Sequence, residues 1–242
     1  MIRLDRFLSN MGYGTRKQVK KLISAGTVTV NAIAAADCGR LIDENSDRVS
    51  VGENRVAYRP FIYLMLNKPA GILSASADAA GCVTAADLVA DKYAHYHVSP
   101  AGRLDKDSEG FLILTNDGEY IHRVISPSKH VEKQYLCRLV HEIKEEDIEA
   151  FRTGVVLEDG YVCRPAALER ADTAACTEGG PCAFVTIQEG KFHQVKRMFL
   201  ARKNQVLSLK RLRIGGVFLD AALAPGEYRE MTEEERKRII YE

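Results

Sequence analysis

The stretch GRLDKDSEGFLILTNDG, residues 102–118, constrains this chain more than any other. Arg103, Asp105, Lys106, Asp107 and Glu109 crowd between Gly102 and Gly110, and the sequence then turns at once into Phe-Leu-Ile-Leu. An apolar run that short, followed by Asn-Asp-Gly, reads as a buried strand ending in a turn. A surface turn with no chemistry is the default meaning of an isolated charged loop. The abrupt change of polarity predicts something more specific: a charged loop mounted directly on a rigid apolar support.

The other apolar runs set the architecture around that loop. FIYLML, KQYLCRLV, CAFVTIQ, LSLKRLRIGG and VFLD read as strands, and helical candidates fall near 83–91, 118–125, 144–153 and 192–203. Strands outnumber helices and no regular βαβ alternation appears, which predicts an α+β domain on a mixed, largely antiparallel sheet. TEEERKRI near the end has the spacing of a capping box, Thr232 with Glu235.

The N-terminal region reads differently. RLDRFLSNMGYGTRKQVKKLISAGTVTVN gives helix, turn, helix, strand, with Thr15 and Gln18 spaced as a capping box and Gly26 as a C-terminal stop. Val19, Leu22 and Ile23 form an apolar face, and Lys17, Lys20 and Lys21 recur at the same helical spacing. TVTV alternates like a half-buried strand, with DRVSV around Val49 and Val51 as its later partner. A domain boundary is expected in the polar stretch near 52–60, giving domains of 1–58 and 59–242.

Charge is distributed more tellingly than its total. The 242 residues carry a formal net charge of +1. Yet Arg3, Arg6, Arg16, Lys17, Lys20 and Lys21 face only Asp5 within the first thirty residues, and residues 191–213 hold eight bases and no acid. Two basic surfaces on a near-neutral chain predict a polyanionic partner. The N-terminus lacks the apolar run of a signal peptide and FIYLML is too short to span a bilayer, so a cytoplasmic protein without a membrane segment is expected. The six cysteines show no C-x-x-C pair and no metal-ligand spacing, and are expected to be reduced and mostly buried.

One rival reading of the charged loop is calcium binding. DKDSEG places acids at positions 1, 3 and 5 and glycine at 6, as in an EF-hand, but Asn116 stands where a bidentate Glu is needed and FLILT replaces a flanking helix. No metal is expected.

Two further motifs accompany the loop: EKQYLCRL, with Tyr135, and EGKFHQVKRMFLARKN, with His193, Gln194, Lys196 and Arg197 at the start of a basic helix. Taken singly, Tyr135 is an ordinary core aromatic and His193 an ordinary structural histidine. In this order, however, the three motifs resemble the signature of pseudouridine synthases, in the branch related to ribosomal small-subunit pseudouridine synthase A. The likeness extends to LNKPAG before the loop and RIGGVFLDAALAPGEYREMTEEE at the end. The first fifty residues resemble the S4-like RNA-binding module of that branch, with Ala32 after Asn31 where the module commonly has glycine. Ser108 and Phe111 stand where relatives often have Thr and Leu.

That resemblance implies an enzyme that isomerises uridine to pseudouridine in ribosomal RNA, 16S by preference, without cofactor. Asp105 becomes the catalytic carboxylate, as nucleophile towards the sugar or as base for a sugar proton. Lys196 is the chosen cationic partner of Asp105, with Arg197 as the alternative or as a phosphate ligand. Arg103 assists opening of the target nucleotide or binds its phosphate, Tyr135 is the platform for the flipped base, and His193 and Gln194 position the loop or helix. Arg3, Arg16, Lys17, Lys20 and Lys21 are implied RNA contacts. The implied partner is rRNA or a pre-ribosomal particle, and a monomer is expected. The alternatives are a large-subunit 23S rRNA synthase of the same branch and a non-catalytic RNA-binding or ribosome-assembly factor.

Overall fold

A computed structural model of the chain describes residues 1–172, 176 and 179–241. Two compact units emerge: Met1–Ile62 with Lys92–His97, and Tyr63–Asp91 with Val98–Glu242. The return of Lys92–His97 to the first unit has no local signal in the sequence.

The first unit contains β1 (Ile2–Arg3), α1 (Leu4–Asn10), α2 (Arg16–Ser24), β2 (Val28–Val30), β3 (Ile33–Ala34), β4 (Leu41–Ile42), β5 (Val49–Val51) and β6 (Asn54–Val56). β1 pairs with β4, and the other four strands form a sheet in the order β3-β2-β5-β6. The expected capping box opens α2: the Thr15 hydroxyl accepts from Gln18 N at 3.4 Å, and the Gln18 side-chain oxygen accepts from Thr15 N at 2.8 Å. Val19 and Ile23 of α2 pack with Leu4, Phe7 and Leu8 of α1 and with Val28, Val30 and Val49 of the sheet. Burial of each such large apolar side chain contributes about 1.5–3 kcal/mol. With that face committed to the core, Arg16, Lys17, Lys20 and Lys21 remain exposed. β2 meets β5 in the expected pairing, Val28 opposite Val51 and Val30 opposite Val49.

The β2–β3 turn places both Asn31 and Ala32 at positive φ, +53° and +66°. Asn31 is suited to that conformation and is held there, donating to Asp47 Oδ1 at 2.7 Å and accepting from Arg48 N at 2.9 Å. Ala32 has no such compensation, and a non-glycine residue in the left-handed region costs about 1–2 kcal/mol. The missing glycine therefore leaves the hairpin geometry intact and places strain in it.

The second unit runs β7 (Tyr63–Lys68), α3 (Ala90–Tyr93, which ends in the segment returned to the first unit), β8 (Ser99–Pro100), β9 (Glu109–Thr115), α4 (Gly118–Ile125), β10 (Lys133–Leu139), α5 (Glu145–Thr153), β11 (Ala167–Ala171), β12 (Cys182–Ile187), α6 (Gln194–Ala201), β13 (Val206–Ile214), β14 (Val217–Phe218), β15 (Tyr228–Glu230) and α7 (Glu233–Tyr241). Its sheet has the order β11-β12-β10-β13-β9-β7-β15, with β14 beside β13 and β8 beside β9. Only β9–β13 is parallel, so the sheet is mixed and largely antiparallel. All four residues of the FLIL run are fully buried, as expected of a strand covered on both faces. Phe111 and Ile113 pack against Tyr120 and Val124 of α4 and Ile239 of α7. The Thr232–Glu235 box opens α7, with hydrogen bonds of 2.8 and 3.1 Å.

Two expectations need correction. The helical reading of 83–91 shrinks to a short turn at Asp87–Val89 that leads into α3, because the Asp87 carboxylate turns back to accept from Thr84 N and Oγ1 at 2.8 and 2.9 Å. Cys176 and Cys182 are joined in a disulfide, their Cα atoms 6.5 Å apart, rather than reduced. Six positions apart in the sequence, they lack a C-x-x-C spacing. Of the others, Cys137 and Cys163 are buried, Cys38 is half-buried and Cys82 exposed. Among the described residues no helix is long and apolar enough to cross a membrane.

Candidate active site

The charged loop is braced by the end of β7 and the segment that follows it. Lys68 is fully buried, and its ammonium donates to the carbonyl oxygens of Pro69 (2.9 Å), Ser108 (2.8 Å) and Lys106 (3.4 Å). Burial pushes its pKa down to about 8, opposed by the negative charges of Asp107, Glu109 and Asp105. The Ser74 hydroxyl donates to Leu104 O at 2.8 Å and accepts from Leu104 N at 3.0 Å. Gly71 N donates to Lys106 O at 2.7 Å. The backbone is thus fixed on both sides of Asp105.

Gly110 closes the loop. Its φ is +101°, and a Cβ there would lie 2.3 Å from the carbonyl oxygen of Arg211. Only glycine lets β9 approach β13 this closely at the loop exit, where Glu109 pairs with Lys210 and Gly110 with Arg211.

Asp105, with its side chain 24 % exposed, lies between two basic groups. Its Oδ2 is 3.3 Å from Lys196 Nζ, and its Oδ1 is 3.5 Å from His193 Nε2. Lys196 also donates to Asp107 Oδ1 at 2.6 Å, which holds the Asp107 carboxyl below the usual carboxylate range. Arg197, one residue on, turns away to pair with Asp159 at 2.5 Å. Of the two cations that the sequence left open, Lys196 is the one at Asp105, and Arg197 is not brought to it.

The helix that carries Lys196 is itself held. His193 caps α6 in the left-handed conformation, φ +50°, and stacks on Phe192 at 3.8 Å. Gln194 is buried; its side-chain oxygen accepts from Lys191 N at 2.8 Å and its amide donates to Glu189 Oε1 at 2.5 Å. Glu189, also buried, accepts from Tyr161 OH at 2.8 Å and Arg164 N at 2.9 Å. Gln194 therefore ties the turn before α6 to its surroundings.

Asp105 and His193 border a cavity of about 1060 Å³ whose wall also includes Arg103, Lys133, Tyr135 and Arg211. Tyr135 is 7 % exposed, and its hydroxyl accepts from Arg211 Nη1 at 3.4 Å. Lys133 and Tyr135 are two residues apart on β10 and share a face. A bulge in β13 skips Leu212, so that Arg213 pairs with Gln134 and Arg211 with Tyr135. This shift sets Arg211 beside the tyrosine. Arg103 is exposed at the cavity rim. Sequence reasoning missed Lys68, Lys133, Glu189 and Arg211. The alternation in EKQYL was a usable signal for Lys133, whereas the bulge concealed Arg211.

The N-terminal cations divide. Arg3 pairs with Asp5 through two hydrogen bonds of 3.1 and 2.8 Å. On α2, Arg16 is exposed, and Lys17, Lys20 and Lys21 are exposed with no side-chain hydrogen bond or ion pair among the described residues.

A carboxylate fixed between basic groups at the edge of a large cavity, in a chain that also bears a separate basic helix, points to an enzyme acting on a polyanion. Comparison with known proteins specifies which. The family model described as RNA pseudouridylate synthase matches residues 62–201, and the S4 domain model matches residues 2–54. The chain belongs to the RNA pseudouridylate synthase family. It is 49% identical over 234 residues to the uncharacterized RNA pseudouridine synthase YtzG of Bacillus subtilis, covering 97% of this chain and 96% of the relative. It is 38% identical over 237 residues to ribosomal small subunit pseudouridine synthase A of Vibrio cholerae, covering 97% of each. A crystal structure of a pseudouridylate synthase matches 99% of this chain and 100% of its own, at 33% identity and a TM-score of 0.68.

Proposed function

We propose that this enzyme converts a uridine of small-subunit, 16S, ribosomal RNA to pseudouridine, with Asp105 as its essential carboxylate. The observation that carries the assignment is the position of Asp105 between Lys196 and His193 at the edge of the cavity that Tyr135 lines. The small-subunit preference rests on similarity over nearly the whole chain to enzymes named for that subunit.

In this reading the target nucleotide leaves its stack and the base lies against Tyr135. Asp105 attacks the sugar or removes a sugar proton, and the bond from C1′ to N1 of the base breaks. The base turns and C5 joins C1′, as the Asp105–C1′ bond breaks on the first route or Asp105 returns the sugar proton on the second; the C5 proton is then lost while N1 gains one. Substrate and product are isomers, so the reaction balances without a co-substrate. Lys196 holds the Asp105 carboxylate in place. Arg103 engages the displaced nucleotide or its phosphate at the rim. His193 and Gln194 set the geometry of the turn that presents Lys196. The exposed cations of α2 hold structured RNA through its phosphates.

The test is a pseudouridine map of 16S and 23S rRNA from cells lacking the gene. One 16S site is expected to disappear, to return with the wild-type chain and to stay absent with Asp105→Asn. Loss of a 23S site instead would transfer the assignment to the large subunit, and an unchanged map would overturn it.

A further inference from the structure

The cavity wall holds more positive charge than Asp105 needs. Asp105 is already met by Lys196 and His193. The ammonium of Lys133, on the strand beside Tyr135, makes no hydrogen bond or ion pair among the described residues. Next to it, Arg211 is 3 % exposed; its Nε donates to Phe111 O at 2.8 Å and its Nη1 reaches the Tyr135 hydroxyl, but its Nη2 is buried without a partner. Two cations with unmet donors at one wall are costly unless something anionic completes them.

The substrate offers two kinds of negative charge. Backbone phosphates run along the surface of an RNA, and exposed Arg103, Lys106 and Lys191 at the cavity are placed to meet them. On the proposed reading the everted base lies against Tyr135 and so meets the wall formed by β10 and β13. That base becomes an anion during the reaction. When the C1′–N1 bond breaks, its electron pair leaves with the base, and the charge spreads over N1, O2 and O4. This is so whether Asp105 takes C1′ as nucleophile or a sugar proton as base.

We propose that the Lys133 ammonium, with Arg211 behind it, is the countercharge for the detached uracil anion, donating to a base oxygen while the base turns from N1 to C5. The arrangement is an oxyanion site whose donor is fixed before charge develops. Arg211 adds a second positive charge beside Lys133. Desolvation and the neighbouring Arg211 lower the Lys133 pKa to about 8, as expected for an ammonium waiting for its anion inside the protein. When the new bond has formed, C5 loses its proton, N1 gains one, and the base is neutral again.

The proposal rests on the catalytic reading of Asp105 and is tested beside it. Lys133→Met removes an uncompensated charge and keeps the length of the side chain, so the variant is expected to fold; Lys133→Arg retains a cation. Single-turnover rates at saturating RNA are compared for a uridine target and for a 5-fluorouridine target, whose detached base is a more stable anion. Progress is followed as consumption of the N1-linked nucleoside. Lys133→Met is expected to slow the uridine reaction by about 10²–10³-fold with little change in RNA affinity, the size of effect typical of one lost oxyanion donor. The loss should shrink on 5-fluorouridine, and Lys133→Arg should recover part of the rate. An equal loss on both RNAs, or a loss confined to RNA affinity, overturns the role of Lys133. A Lys133→Met variant that does not fold also contradicts it, because the charge would then be structural. Asp105→Asn run in parallel separates the readings: if it is active, the reading of Asp105 fails; if it is inactive while Lys133→Met behaves as wild type, only the present inference fails.

Discussion

The loop around Asp105 and the outer face of α2 are both densely charged, and they treat that charge in opposite ways. In the loop, the backbone on either side of the acid is tied by Lys68, Ser74 and Gly71, and the acid faces two basic groups at 3.3 and 3.5 Å. On α2, Lys17, Lys20 and Lys21 extend into solvent with no partner among the described residues. On the proposed reading the loop makes bonds, which requires one atom in one place and suits immobilised charges. On the same reading the α2 lysines attract a phosphate chain, which requires only proximity, so the helix needs nothing beyond a buried apolar side to hold it. Perturbing each region should therefore produce different kinds of failure.

The largest effect is expected where the loop joins the sheet. Gly110→Ala places a Cβ against the Arg211 carbonyl at positive φ, which should cost about 3 kcal/mol or more. Circular dichroism melts should show the catalytic unit destabilised or unfolded, and a melt indistinguishable from wild type would refute the close approach. On α2 the triple change Lys17→Ala, Lys20→Ala, Lys21→Ala should leave folding and kcat near wild type and raise KM. The slope of log affinity against log salt should fall by about 0.7–0.9 for each phosphate that the variant no longer neutralises. A constant slope would remove these lysines from the RNA interface.

A smaller effect concerns pH. The pKa of Lys133 in the folded chain, about 8, lies below its ordinary 10.5. Between those values the unfolded chain binds the proton and the folded chain does not, so this residue makes folding more favourable as pH rises through that window. Urea titrations from pH 7 to 10.5 should show a shallower rise in stability for Lys133→Met than for wild type. The smallest effect lies in the first unit: Ala32→Gly relieves the left-handed strain at φ +66° and should stabilise that unit by up to about 1 kcal/mol. Unchanged stability would show that the hairpin already absorbs it.

Legibility in the sequence followed the range of the interactions. Helix α2, its capping box, the β2–β5 pairing and the strands of the catalytic sheet rest on local periodicity and could be read directly. Asp105, Tyr135 and Lys196 followed from three motifs in a recognisable order, and the structure brings Lys196 to Asp105 and sets Tyr135 in the adjoining wall. Lys68 escaped because a lysine at the end of an apolar strand gives no hint that it will bind carbonyls some forty residues ahead. Arg211 escaped because a bulge of one residue reverses which face a strand position occupies. The Cys176–Cys182 bridge and the return of Lys92–His97 to the first unit likewise leave no spacing signature.

The most direct trial of Asp105 as the essential carboxylate is tritium release from RNA labelled at carbon five of uracil, with Asp105→Asn set against the wild-type chain and RNA affinity measured on the same samples. The variant is expected to bind RNA as tightly as wild type and to release no tritium above background. Release at the wild-type rate would contradict the catalytic role.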